Sequence, residues 1–204
     1  MQINYDRKQK SDIVISRPSA IEVEKYLKSW NNLKNYKLQE DALDKLFFEL
    51  LPSNEEISDI LLKVATLNDF YSTNIFSVYP VAEHILSLKI DERLRQGDAT
   101  LVNEIQNVAI NGVTRKFYSF STKYCSHHNP KEYPIYDSYV EKVLKYFRKT
   151  DKFSKFKNAD LKDYQKFKNI IIAFREYYGL EEFNLKEIDQ YLWQLGKEYF
   201  PNKY

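Results

Sequence analysis

Apolar side chains recur at three- and four-residue intervals along almost the whole chain, and little between them would stop a helix. Only 4 glycines and 6 prolines occur in 204 residues. Such spacing gives each segment one apolar stripe, the pattern of helices packed on a common core. So few glycines leave little for phosphate loops or for the many tight turns of a barrel or sandwich. The fold expected is all-α, with about nine or ten helices.

Local signals divide the chain. Ser19 with Glu22 forms a capping box ahead of Ile21, Tyr26, Leu27 and Trp30, and Ser53 with Glu56 reads as a second box. A helix over 38–51 should stop at Pro52, and Pro80 should kink a later helix or stand in its first turn. Gly97 and Asp98 precede a helix through "ATLVNEIQNVAI", and Asn111-Gly112 is a turn. Gly179 closes a long amphipathic helix, and Asn184 caps the last one. Only "INYDRKQKSDIVIS" could hold a strand, so residues 1–17 are read as an arm and 18–204 as one domain.

The net charge of +2 does not announce a nucleic-acid partner, and the lone Cys125 excludes an internal disulfide. No leader and no apolar run long enough for a bilayer is visible, so a cytoplasmic setting without membrane contact is expected. Oligomeric state is not legible. Between Lys142 and Lys168, 10 Lys or Arg face 3 Asp, interleaved with aromatics. That suits phosphate backbones and exposed bases, and equally a solvated face over a buried stripe.

The segment "FYSFSTKYCSHHNPKEYPIYDSYV" differs from its surroundings, with the cysteine, two of the three histidines and two prolines. Taken alone, Asp137 reads as a helix N-cap. Pro134 also restricts Tyr133 to extended geometry, an entry that can aim Asp137 into a cleft. Lys123 is a surface lysine unless burial lowers its pKa, in which case its amine is a nucleophile. Cys125, His127 and His128 lack the paired spacing of a metal site, so no metal or other cofactor is expected. Cys125 reads as core.

"SFSTKY", "HHNP", "YPIYDSYVEKVL" and the C-terminal "LKEIDQYLWQLGKEYF" together resemble the helix-hairpin-helix DNA glycosylases, in particular their compact 8-oxoguanine-glycosylase-like group. The resemblance implies a helical glycosylase-like domain, with two lobes around a cleft and a helix-hairpin-helix-like element. Asp137 matches the aspartate that a proline-led segment delivers to the next helix, and Lys123 a lysine typical of the compact group. The superfamily's hairpin lysine would fall at Ser119, one helical turn earlier.

The implied activity is base excision from DNA, with or without a β-lyase step, using Lys123 as nucleophile and Asp137 as electrostatic partner. Phe120 and Trp193 are candidates for the base pocket. Asn111, Gly112, Arg115 and Lys116 at the hairpin, with Lys145, Arg148, Lys149 and Lys152 downstream, are candidates for DNA contact. Two alternatives stand beside this: a non-catalytic DNA-binding module on the same scaffold, and a protein-interaction domain.

Overall fold

The computed structural model describes residues 14–201. The expected strand in the arm falls mostly outside these residues, and 14–19 carry neither helix nor strand. Among the described residues, the helices are α1 Ala20–Trp30, α2 Lys34–Asp44, α3 Ile57–Tyr71, α4 Val78–Ser87 and α5 Asp91–Arg95. They continue as α6 Thr100–Ile105, α7 Tyr118–His128, α8 Ser138–Thr150, α9 Tyr164–Tyr177 and α10 Leu185–Tyr199. A π-helical turn, Lys45–Leu50, extends α2, and a 3-10 turn, Asn158–Lys162, precedes α9. The architecture is largely helical, as the periodicity requires.

Two strands interrupt it, the first where a helix was expected. Helix α6 ends at Ile105, and β1 Asn107–Ile110 pairs antiparallel with β2 Val113–Lys116. Asn111 and Gly112 both have positive φ, 51° and 76°. That is the backbone of a two-residue hairpin turn whose twist matches the strands beside it. The turn chemistry overrode the helical spacing of "NEIQNVAI".

Helix starts follow the capping signals with one correction. Ser19 accepts from the Glu22 amide at 3.3 Å, and Asn184 and Glu187 cap α10 reciprocally. Ser53 caps nothing: α3 begins at Ile57, with Glu56 as its N-cap residue. The buried Lys63 ammonium takes the carbonyls of Ser53 at 2.7 Å and Leu51 at 3.1 Å, together with Asn54 Oδ1 at 2.8 Å. Those bonds set the course of 51–56. Helix α2 also starts at Lys34, before the expected boundary. Pro80 stands in the first turn of α4, where its missing N–H costs nothing.

Helix α10 packs on α1, α8 and α9. Gly196 allows this: a Cβ there would lie 2.7 Å from the Tyr139 carbonyl oxygen, so α8 and α10 meet backbone to backbone. One continuous set of buried side chains runs through the molecule. Tyrosine fills much of it, and two of these buried rings carry their hydroxyls to backbone carbonyls. Tyr133 donates to the carbonyls of Arg93 and Asp98, and Tyr164 to that of Pro134 at 2.9 Å.

Candidate active site

Helix α7 presents two stripes. Phe120, Tyr124 and His128 face the core around Phe47. Lys123, Ser126 and His127 face a cleft of about 230 Å³. The opposite wall comes from α10, where Lys186, Asp189, Gln190 and Trp193 recur at helical spacing. Helix α2 adds Tyr36, Gln39, Glu40, Leu43 and Asp44, and the π-helical turn adds Phe48. Trp30 and Tyr71, at the ends of α1 and α3, complete aromatic walls.

The segment between α7 and α8 reaches this cleft because its tyrosines are anchored. Besides the bonds of Tyr133, the Tyr136 amide donates to Thr122 Oγ1 at 3.1 Å. Asp137 then sits at the N-cap of α8 and accepts from the Tyr139 amide at 2.8 Å. Its other oxygen lies 4.0 Å from Lys123 Nζ. Asp137 is therefore both the cap and a lining group of the cleft, and the two roles use different oxygens.

Lys123 is 3% exposed. Its amine donates to Ser119 Oγ at 2.7 Å and to the Tyr136 carbonyl at 3.3 Å, and lies 5.1 Å from the Tyr71 ring. Burial pushes its pKa down, while Asp137 and Asp189 pull it up. Burial also brings His127 down to about 3, with Lys186 adding to it. The neutral imidazole shares a 2.9 Å hydrogen bond with the Tyr71 hydroxyl.

Asp189 stands out among residues that sequence reasoning missed. It is 7% exposed, and one carboxyl oxygen is buried without a hydrogen-bond partner. Burial first, and the Asp137 charge second, push its carboxyl well above the usual carboxylate range. The Ile135 amide bonds the carboxyl, which leaves one oxygen to meet whatever enters the cleft. The signal available in sequence was Asp189 four residues before Trp193, on the same face of an amphipathic helix.

Other expected site residues divide. Trp193 lines the cleft, with Trp30 and Tyr36 edge-on to it at 5.6 and 5.0 Å. Phe120 does not. It is 1% exposed in the core, on the α7 stripe next to the one that carries Lys123. Asn111, Gly112, Arg115 and Lys116 are exposed on the hairpin and do not line the cleft. Lys145 pairs with Glu141. Arg148 holds the Phe156 carbonyl at 2.8 Å and Asn158 at 3.0 Å, so it braces the loop after α8. Lys149 lies on α8 and Lys152 just beyond it. Among the described residues, no helix is long and apolar enough to cross a membrane.

The family model HI_0787_N, described as an N-terminal domain, matches residues 22–132. The chain belongs to this family. The HI_0787_N match runs from α1 past the end of α7 and so includes Lys123, while Asp137 and α10 lie beyond it. The chain is also similar to an uncharacterized protein of Haemophilus influenzae. The two are 56% identical over 146 residues, covering 71% of this chain and 70% of that protein. No solved structure matches the chain.

Proposed function

We propose that this protein is a DNA glycosylase that removes a base from a flipped nucleotide and then holds the sugar through Lys123. The observation carrying this reading is a buried amine 4.0 Å from a carboxylate, on the wall of an aromatic-lined cleft. Buried amines with lowered pKa are nucleophiles, and a fixed carboxylate stabilises cationic sugar. A cleft this small suits a single planar heterocycle, which must leave the duplex to enter.

The chemistry follows from these positions. The neutral amine attacks the sugar carbon, and the bond to the base breaks with its electron pair leaving on the base, which takes a proton from water. The attached nitrogen, now an ammonium, passes one proton to the ring oxygen; the electron pair this frees on nitrogen then expels that oxygen as a hydroxyl, and an iminium to Lys123 remains. Asp137 opposes the positive charge that builds at the sugar as the first bond breaks. Trp193, Trp30 and Tyr36 supply ring faces and edges for the base, and Asp189 one free carboxyl oxygen for its rim.

On this reading α2 and α10 form one lobe wall and α3 and α7 the other, with DNA across the mouth. The β1–β2 hairpin then takes the place of the helical hairpin, with Arg115 and Lys116 on phosphate. Phe76, 96% exposed four residues beyond Ser72 in the cleft wall, is a wedge of the kind that enters a base stack.

Borohydride reduction on duplexes with an oxidised purine or an abasic site tests the proposal. The expected result is a covalent complex through Lys123, identified by mass spectrometry, together with released base. Tight DNA binding without adduct or base release would favour the non-catalytic module instead.

A further inference from the structure

Building on the proposed role of Lys123, we infer that Ser119 is its positioning residue. The Ser119 hydroxyl and the Tyr136 carbonyl hold two of the amine's directions and leave the third open to Asp137 and the cleft.

The amine of Lys123 has three substituent directions besides its own chain. Ser119 Oγ occupies one at 2.7 Å and the Tyr136 carbonyl a second at 3.3 Å. The Ser119 carbonyl, at 3.5 Å, lies at the outer limit of a hydrogen bond. Asp137 Oδ2, at 4.0 Å, is beyond hydrogen-bond reach and marks the open side. When the ammonium loses one proton, the two bonded N–H groups stay where they are and the lone pair takes the open direction. Nucleophiles need this orientation as much as a suitable pKa.

Ser119 is itself held for the task. It lies one turn before Lys123 on α7, and its hydroxyl also reaches the Tyr136 carbonyl at 3.3 Å. The arrangement thus ties α7 to the segment that delivers Asp137, so the amine and the carboxylate are set by one cluster. The groups facing the amine are Asp137 before α8, Asp189 on α10, the Tyr71 ring on α3 and His127 one turn on. Of these, Asp137 at 4.0 Å and the Tyr71 ring at 5.1 Å lie beyond hydrogen-bond distance of the amine.

Ser119→Ala separates positioning from protonation, because the two predict opposite signs. Removing an acceptor from the ammonium lowers the Lys123 midpoint, by about one pH unit for a hydrogen bond to a charged group. More of the amine is then neutral at pH 7, so protonation alone would make trapping faster. Positioning predicts a single-turnover trapping rate lower by about tenfold to a hundredfold with DNA affinity unchanged. Ser119→Thr, which keeps the hydroxyl, should restore both midpoint and rate.

The midpoint is read by 13C NMR titration of the lysine Cε signals, with Lys123 assigned by its loss in Lys123→Gln. An unchanged midpoint in Ser119→Ala, or trapping as fast as in the wild type, overturns the inference. So does a Thr variant that recovers neither quantity. If the wild type traps nothing on DNA, it is the base-excision reading that fails. The role of Ser119 in holding the amine is then decided by the midpoints of the Ala and Thr variants.

Discussion

Asp137 carries two demands on two oxygens, and one substitution divides them. Asparagine caps nearly as well as aspartate, so Asp137→Asn should keep the bond to the Tyr139 amide and remain folded. It removes the charge facing Lys123, and base release should fall by about two orders of magnitude. Lys123→Gln should abolish covalent trapping. Single-turnover assays on the same damaged duplex measure both, and base release at the wild-type rate in Asp137→Asn would reduce Asp137 to a cap. At this scale sequence pointed to part of the cleft's lining. Lys123 and Asp137 drew notice as an aromatic-flanked lysine and a proline-led aspartate, but the family resemblance, not their local positions, singled them out together with Trp193. Asp189, Tyr71 and His127 were not singled out, since what distinguishes them is a shared cavity and an unmet hydrogen bond, and neither is local.

Elements were read correctly where one signal acted alone and missed where two competed. Asn184 and Ser19 started helices as expected, whereas the Asn111-Gly112 turn drew its flanks into strands. At Ser53 the carbonyl needs of a distant lysine displaced a cap. The hairpin offers the cleaner test of a DNA surface, because Arg115 and Lys116 are exposed on β2 while Arg148 braces a loop. Neutralising Arg115 and Lys116 together should weaken binding to all duplex sequences and flatten its salt dependence by about two counterions. A slope equal to that of the wild type would move the surface elsewhere, with Lys149 and Lys152 next. The crossing of α8 and α10 makes a separate demand. Gly196→Ala places a methyl against the Tyr139 carbonyl and should cost about 1–3 kcal/mol, read from urea unfolding. A cost near zero would mean that the two helices can separate freely.

Across the whole molecule, polar groups buried far from the cleft tune stability rather than chemistry. Burial brings Lys63 down to about 8, below its unfolded value of about 10.4. The unfolded chain therefore binds more protons at this residue between those two values, and the contribution of Lys63 to stability rises with pH across that window. The difference in unfolding free energy between wild type and Lys63→Met should grow in favour of the wild type from pH 8 to 10. A flat difference would show that Lys63 keeps its ordinary affinity for protons. Cys125 gives the same global equilibrium a chemical clock. It is the chain's single thiol, wholly buried on α7 two residues from Lys123, and burial holds it far from the reactive thiolate. A disulfide reagent can reach it only when α7 leaves the core, so labelling at low denaturant should be single-exponential and report the free energy of that opening. The cysteine takes no part in the proposed chemistry, yet it timestamps every moment at which the helix carrying Lys123 comes undone.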